Sequence, residues 1–269
     1  MHSIVCPSAV FVRPDGPFFQ LCRNVGCKLE GYSGHRDDAD FAEKQEAAWK
    51  HVRESIDKGL PRYALQLGRA EYGPIYGYDK AGYLFTDLTT DEGPEESGIK
   101  PWDELALAPE PWLHIYSVAP CPPADVETTV REAIEYVQLF NGPDHLGETG
   151  YVTGPQAYAH WVEALEKGTA LNHGHAYHVA VWSECRAHAL DFLREARERL
   201  GGKAKAEIDD TIGVCSVVAE KLRDLADLHP LSESLKGNLQ NRDWAELVRE
   251  AGEVEREGQD ALRRIVDAL

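Results

Sequence analysis

The feature that most constrains this chain is a change of periodicity at Ala119-Pro-Cys-Pro-Pro123. Before it, Gly, Pro and Tyr are dense and the apolar runs are short. After it, apolar residues recur with the period of helices. Such a chain is expected to fold as α+β, with an α/β domain over residues 1–119 and a helical bundle over 120–269. Its 269 residues are enough to bury a proper core in one or two domains.

In the first part, Pro17 to Asn24 reads as a short helix and Cys27 to Tyr32 as a strand. Phe41, Gln45, Ala48, Trp49, Val52 and Ile56 then fall on one face of a helix running from Asp40 to Lys58. Gly59 suits the position just past its end, and Pro61 blocks continuation. Strands are expected at 63–67, 74–78 and 83–86, with Asp79-Lys-Ala-Gly82 as the turn between the last two. Trp112 to Val118 is expected to close a small antiparallel sheet.

The second part reads as helices at about 129–140, 155–167, 175–200, 204–228 and 242–269, with no strand beyond residue 125. Thr129 and Glu132 fit a capping box, while Pro155 and Gly168 bracket the second helix. Ile208, Ile212, Cys215, Val218, Leu222 and Leu225 form one apolar stripe. Trp244, Val248, Ala251, Leu262 and Ile265 belong to another, and stripes of this kind cover one another in a bundle.

A net charge of −18, from 28 basic and 46 acidic residues, repels phosphate backbones and anionic lipid surfaces. Neither nucleic acid nor membrane is therefore expected as a partner, and no stretch is long and apolar enough to span a bilayer. No signal peptide is visible at Met1-His-Ser-Ile-Val-Cys-Pro. The six cysteines are irregularly spaced and complete no zinc pattern, which fits free thiols in a reducing cytoplasm. No phosphate-binding glycine motif occurs, and the acidic run Asp91 to Glu96 reads as a solvated loop.

Residues 55–87 carry Lys58, Gly59 and Pro61, then Gly77, Tyr78 and Asp79, then Asp87. This pattern resembles the papain-like domain of the bacteriocin-processing peptidases and of the butirosin biosynthesis protein H type acyltransferases. Those chains run from a Lys-Gly-x-Pro strand, through a His-led strand ending Gly-Tyr-Asp, to an Asp at the end of the next strand. The likeness covers residues 15–118 and implies a papain-like α/β domain. It also implies a Cys thiolate at the head of a long helix, activated by the strand His and oriented by the Asp. Carried over residue by residue, the orienting carboxylate falls on Asp87. The His place falls on Glu71 or Tyr72, and neither does the work of an imidazole: ordinary Tyr titrates near ~10 and Glu near ~4. The thiol place falls on Cys6, which Pro7 follows, and Pro14 stops any helix within two turns. The Cys-bearing helix is thus expected to be missing.

A second concentration of chemistry lies at Asn172-His-Gly-His-Ala-Tyr-His, continuing to Cys185 and His188. His175 and His178, one turn apart, could share a metal ion with His160 or His229. Cys185 and His188 could form a dyad, although Cys185 shares a core stripe with His178 and Trp182. Packing of these side chains between helices, with the imidazoles hydrogen-bonded and no metal bound, is the simplest reading. Tyr177, Trp182 and Glu184 are the candidates for a small-molecule pocket. Tyr72, Tyr76, Tyr78 and Tyr83 fit either a ligand cleft or sheet packing.

The expectation is therefore a catalytically degenerate papain-like domain that binds a small ligand or a protein partner, with no cofactor. Two alternatives stand beside it. One is a cysteine-dependent acyltransferase or amide hydrolase of the butirosin biosynthesis protein H type; the other is a metal-dependent helical-bundle enzyme.

Overall fold

A computed structural model describes residues 15–69, 71–86, 97–107, 111–142, 152–233 and 236–269. They fall into two compact units, residues 15–124 and 125–269. The boundary lies after Ala124, beyond the expected 119. The reason is local: Cys121 N–H donates to Gly26 O at 2.9 Å and Ala124 N–H to Asn24 O at 3.2 Å, which binds this Pro-rich segment to the sheet unit.

The first unit runs α1 (Asp15–Asn24), β1 (Cys27–His35), α2 (Phe41–Asp57), β2 (Arg62–Leu65), β3 (Tyr72–Tyr78), β4 (Gly82–Thr86), β5 (Ser97–Pro101), a 3-10 turn (Trp102–Glu104) and β6 (Trp112–Pro120). The six strands form one antiparallel sheet in the order β1-β6-β2-β3-β4-β5. Instead of closing the sheet, β6 lies inside it. Its sequence explains this, because Leu113 and Ile115 bury one face while His114 and Tyr116 bury the other. β5 was not anticipated; Gly98, Lys100 and Pro101 are poor strand formers and suit the edge that it occupies. β2 stops at Leu65, short of the expected Leu67, where Gln66 turns into the left-handed region at φ 64°.

The stripe of α2 covers one sheet face, with Phe41, Ala48, Trp49 and Val52 packed on Ala64, Ile75, Phe85, Leu113 and Ile115. Gln45 Nε2 donates to Leu105 O at 3.0 Å, so the one polar residue of that stripe is satisfied inside. The Asp79 carboxylate accepts from Ala81 N–H and Gly82 N–H and shapes the β3–β4 turn. On the opposite face α1 meets β6: Phe19 stands edge-on to Tyr116, and Tyr116 O–H donates to Asp15 at 2.9 Å.

The second unit runs α3 (Val126–Phe140), α4 (Pro155–Lys167), β7 (Ala170–Leu171), α5 (Asn172–Arg199), α6 (Lys205–Leu228), a 3-10 turn (Leu231–Glu233), β8 (Asn238–Leu239) and α7 (Arg242–Ala268). α3 begins earlier than expected because Asp125, not Thr129, caps it, accepting from Thr128 N–H at 2.8 Å. α4 starts on Pro155 and ends on Gly168 in the left-handed conformation at φ 70°. The expectation of no strand beyond residue 125 is corrected by the short β7–β8 ladder. It joins the α4–α5 link to the α6–α7 link and supplies partners to backbone groups beside helix ends.

α5 is turned differently from its expected stripe. Its buried side is His175, His178, Val179, Trp182, Arg186, Ala189, Leu190 and Leu193, while Cys185 is only half-buried. Arg186 is 1% exposed and donates from Nε to Glu255 Oε2 of α7 at 2.8 Å. Gln259 Nε2 donates to the other Glu255 oxygen at 3.1 Å, Tyr158 O–H of α4 points at the same carboxylate from 3.4 Å, and the guanidinium lies over the Trp182 ring. Burial works against the Arg186 charge, but the Glu255 carboxylate outweighs it and holds the guanidinium protonated. Where α7 crosses α4, a Cβ on Gly252 would lie 2.7 Å from Tyr158 Cβ, so only glycine allows this approach. Among the described residues no helix is long and apolar enough to cross a membrane.

Two stability outcomes follow. Glu255→Leu should cost about 3–5 kcal/mol by leaving Arg186 charged and unpaired. Arg186→Met combined with Glu255→Leu should recover most of that loss in urea denaturation, and a double variant no better than the single would refute the account. Gly252→Ala should cost about 1–3 kcal/mol through overpacking against Tyr158, read as a lower Tm.

Candidate functional site

Two clusters carry the chemistry, one in each unit. In the sheet unit, alternate residues of β6 send Trp112, His114 and Tyr116 to the face away from α2. β2 contributes Tyr63 opposite Tyr116, and β3 contributes Tyr72. The rings form a continuous aromatic surface: Tyr63 lies 5.6 Å from Tyr72 and 5.5 Å from Tyr116, and His114 lies 6.2 Å from both Tyr72 and Tyr116. Tyr72 Oη and His114 Nδ1 are hydrogen-bonded at 2.7 Å across β2. His114 is buried and Tyr72 half-buried. Burial, then the neighbouring Asp15 carboxylate, pushes the Tyr116 phenol far above its ordinary value, so it stays protonated.

The resemblance puts the catalytic His place at Glu71 or Tyr72, and Tyr72 opens β3. An imidazole does stand beside it, but from β6, which the sequence pattern did not indicate. Cys6 and Asp87 lie outside the described residues, as does the acidic run 91–96. The described thiols of this unit are remote from His114. Cys27 pairs with Pro120, six residues further along β6, which is roughly 20 Å at ~3.3 Å per residue. Cys121 follows Pro120, and Cys22 sits near the end of α1 beside the same sheet end.

In the helical unit, the first turns of α5 meet α4, β7 and the start of α7. Trp161 Nε1–H donates to His175 Nδ1 at 3.0 Å. That bond fixes the tautomer: Nδ1 is the acceptor, so the proton of the neutral ring is on Nε2. His175 is 3% exposed and stacks near Trp244 (5.2 Å between centroids, 10° between planes) and His229 (5.4 Å, 23°). His178 packs on Trp161 at 4.4 Å. Desolvation, reinforced by His229 and His178, pushes the His175 imidazole down to about 3. Among the described residues its buried Nε2–H has no hydrogen-bond partner. A cavity of about 260 Å³ opens beside this cluster.

The sequence candidates are distributed as follows. His175 and His178 come together with Trp161, yet the His175 nitrogen facing Trp161 is already engaged. Among the described residues no three His, Cys, Asp or Glu side chains are placed to hold a metal ion. Trp182 is in the core over Arg186, whereas Glu184, about 200° around the helix, is exposed and faces His188. Tyr177 is half-buried on α5. The structure therefore does not bring Tyr177, Trp182 and Glu184 to one wall. Cys185 is half-buried, and His188 points to solvent toward Glu184. Burial pushes the Cys215 thiol up to about 12. Trp161 was missed; its place four residues after Ala157 and three before Ala164 on an otherwise small-residue face was the available signal. The chain matches no protein-family model and no curated protein.

The neutral His175 predicts a pH dependence. Its folded value lies below the unfolded value near ~6.5, so its contribution is complete above about pH 6.5 and is lost as pH falls toward about 3. Between pH 6.5 and 5 this slope approaches at most about 1.4 kcal/mol per pH unit. Urea unfolding of His175→Gln should lack that slope, and an unchanged slope would place the depressed imidazole elsewhere.

Proposed function

We propose that this chain is a catalytically inert protein of papain-like descent that binds a small molecule. The observation that carries the reading is Tyr72, a phenol in the place where the resembled family keeps its imidazole. A phenol of ordinary acidity does not accept and return a proton near neutral pH. The state of the described thiols supports the same reading. Cys215 is buried with a raised pKa, Cys185 sits on a packed helix, and Cys22, Cys27 and Cys121 lie far from His114. The ligand, not a reaction, is then what the aromatic clusters serve.

A second reading is favoured by one distance. His114 Nδ1 lies 2.7 Å from the Tyr72 hydroxyl, so an imidazole stands next to the vacated place on a neighbouring strand. In that reading the protein is a cysteine-dependent acyltransferase or amide hydrolase whose base has moved from β3 to β6.

Thiol reactivity separates the two. At pH 6.5 iodoacetamide should label every accessible cysteine slowly, at the rate of an unperturbed thiol, with Cys215 slowest. One cysteine reacting orders of magnitude faster, shielded by an acyl-thioester and slowed by His114→Asn, would reverse the conclusion in favour of the enzyme.

A further inference from the structure

We infer that the seam joining the start of α5 to the α6–α7 link is an acid-sensitive latch: a proton taken up at His175 displaces the Trp161 indole, releases the β7–β8 ladder and frees the link. This device is separate from any ligand and holds whether or not the sheet unit is catalytically inert.

The seam is lightly tied. β7 and β8 pair Ala170 with Leu239 and Leu171 with Asn238. Asn172 N–H donates to Gly237 O at 2.9 Å, Gln240 Nε2 to Glu166 O at 2.7 Å and Asn241 N–H to Leu165 O at 3.2 Å. Apolar burial adds little, since Leu171, Leu228 and Leu231 are exposed. A segment held this way can open without the rest of the bundle, which the Arg186–Glu255 bond, three turns along α5, keeps closed. Both ends of the link meet on His175. His229, at the end of α6, stacks on its ring at 5.4 Å, and Trp244, in the first turn of α7, does so at 5.2 Å. The His229 and Trp244 rings are 4.9 Å apart.

His175 couples this seam to acid through the atom that a proton must use. Its Nε2 already carries hydrogen, so the one basic site of the ring is Nδ1, and Trp161 Nε1–H donates to that atom at 3.0 Å. Protonation sets two donors face to face and breaks the bond. It also places a cation on a side chain that is buried beside two further imidazoles, His229 and His178.

Among the described residues the charges that act on His175 come from His229 and His178, and no carboxylate is paired with it. α4 turns Glu163 toward Lys167 and Glu166 toward Arg249. α7 points Glu246 at Arg249 and leaves Arg242 and Asp243 exposed, and α6 leaves Asp227 exposed. His160 on α4 and His173 on α5 are exposed as well. The closed seam therefore holds the imidazole down at about 3, and an opened seam lets it return toward ~6.5. Below about pH 6.5, each further pH unit favours the open state by a factor of up to about ten.

Hydrogen exchange read by NMR, corrected for the intrinsic pH dependence of exchange, tests the latch. From about pH 7 to about pH 5 the Asn172 and Asn241 amides should lose protection about tenfold or more, together with the Trp161 indole N–H. The Val218 and Leu222 amides of α6 should keep theirs. His175→Gln, whose side-chain oxygen still accepts from Trp161 but does not titrate, should keep the seam protected over the same range. A loss that is equal in α6, absent from the seam, or unchanged in a folded His175→Gln variant would overturn the proposal. Should that variant fold poorly, the histidine ring signals of the unaltered protein decide. A His175 ring that gains its second proton only as Asn172 loses protection supports the latch, and one that gains it while Asn172 stays protected overturns it.

Discussion

The helical unit is organised by a buried ion pair. Arg186 and Glu255 lie at the centre of α4, α5 and α7, with Tyr158, Gln259 and Trp182 completing the hydrogen bonds and the ring contact of the pair. Such a pair adds little net stability compared with apolar packing, but an offset partner would be left charged and unsolvated. It therefore acts on register. Only one rotation and one sliding position of α5 against α7 satisfy both groups. The effect extends along the helix: His175 precedes Arg186 by 11 residues, close to three whole turns, so the two share one side of α5. Fixing Arg186 inside thereby fixes His175 inside, about 16 Å away at ~1.5 Å per residue, next to Trp161 and Trp244.

The sheet unit has a comparable constraint in β6. A strand paired on both edges and covered on both faces must carry buried side chains at every position, and Leu113 to Ser117 do so without interruption. The odd positions join the apolar core beneath α2. The even positions are aromatic and polar, so the opposite face of the sheet becomes a field of hydrogen-bonding rings. Tyr72 belongs to that field. Its hydroxyl is hydrogen-bonded to His114 inside the sheet.

Much of this architecture was legible in the sequence where the physics is local. The helices α4, α6 and α7 were set by apolar periodicity, and the ends of α4 by Pro155 and Gly168. The stripe of α2 was read correctly down to Gln45, because a single polar residue does not break a period. Other features depend on distant partners and left no local mark. The position of β6 is decided by β1 and β2 pairing on its two sides. β5 has strand-averse residues and exists because β4 offers an open edge. The rotation of α5 was not legible locally, because the burial of Arg186 depends on Glu255, 69 positions later. That shift moved Cys185 from the core stripe to its margin. The β7–β8 ladder, two residues on each side, is too short for any period to reveal.

The same reasoning explains why His175 is poorly placed to serve as a metal ligand. An imidazole offers a metal its lone pair and offers an acceptor its N–H. Trp161 donates to the Nδ1 lone pair of His175, and a neutral ring has no second lone pair. The remaining nitrogen can only donate. Protonation, which would supply two donors, is opposed by burial and by the neighbouring imidazoles of His229 and His178. One indole hydrogen bond thus converts the ring from a potential metal ligand into a fixed, neutral donor. The choice was made on α4, at Trp161.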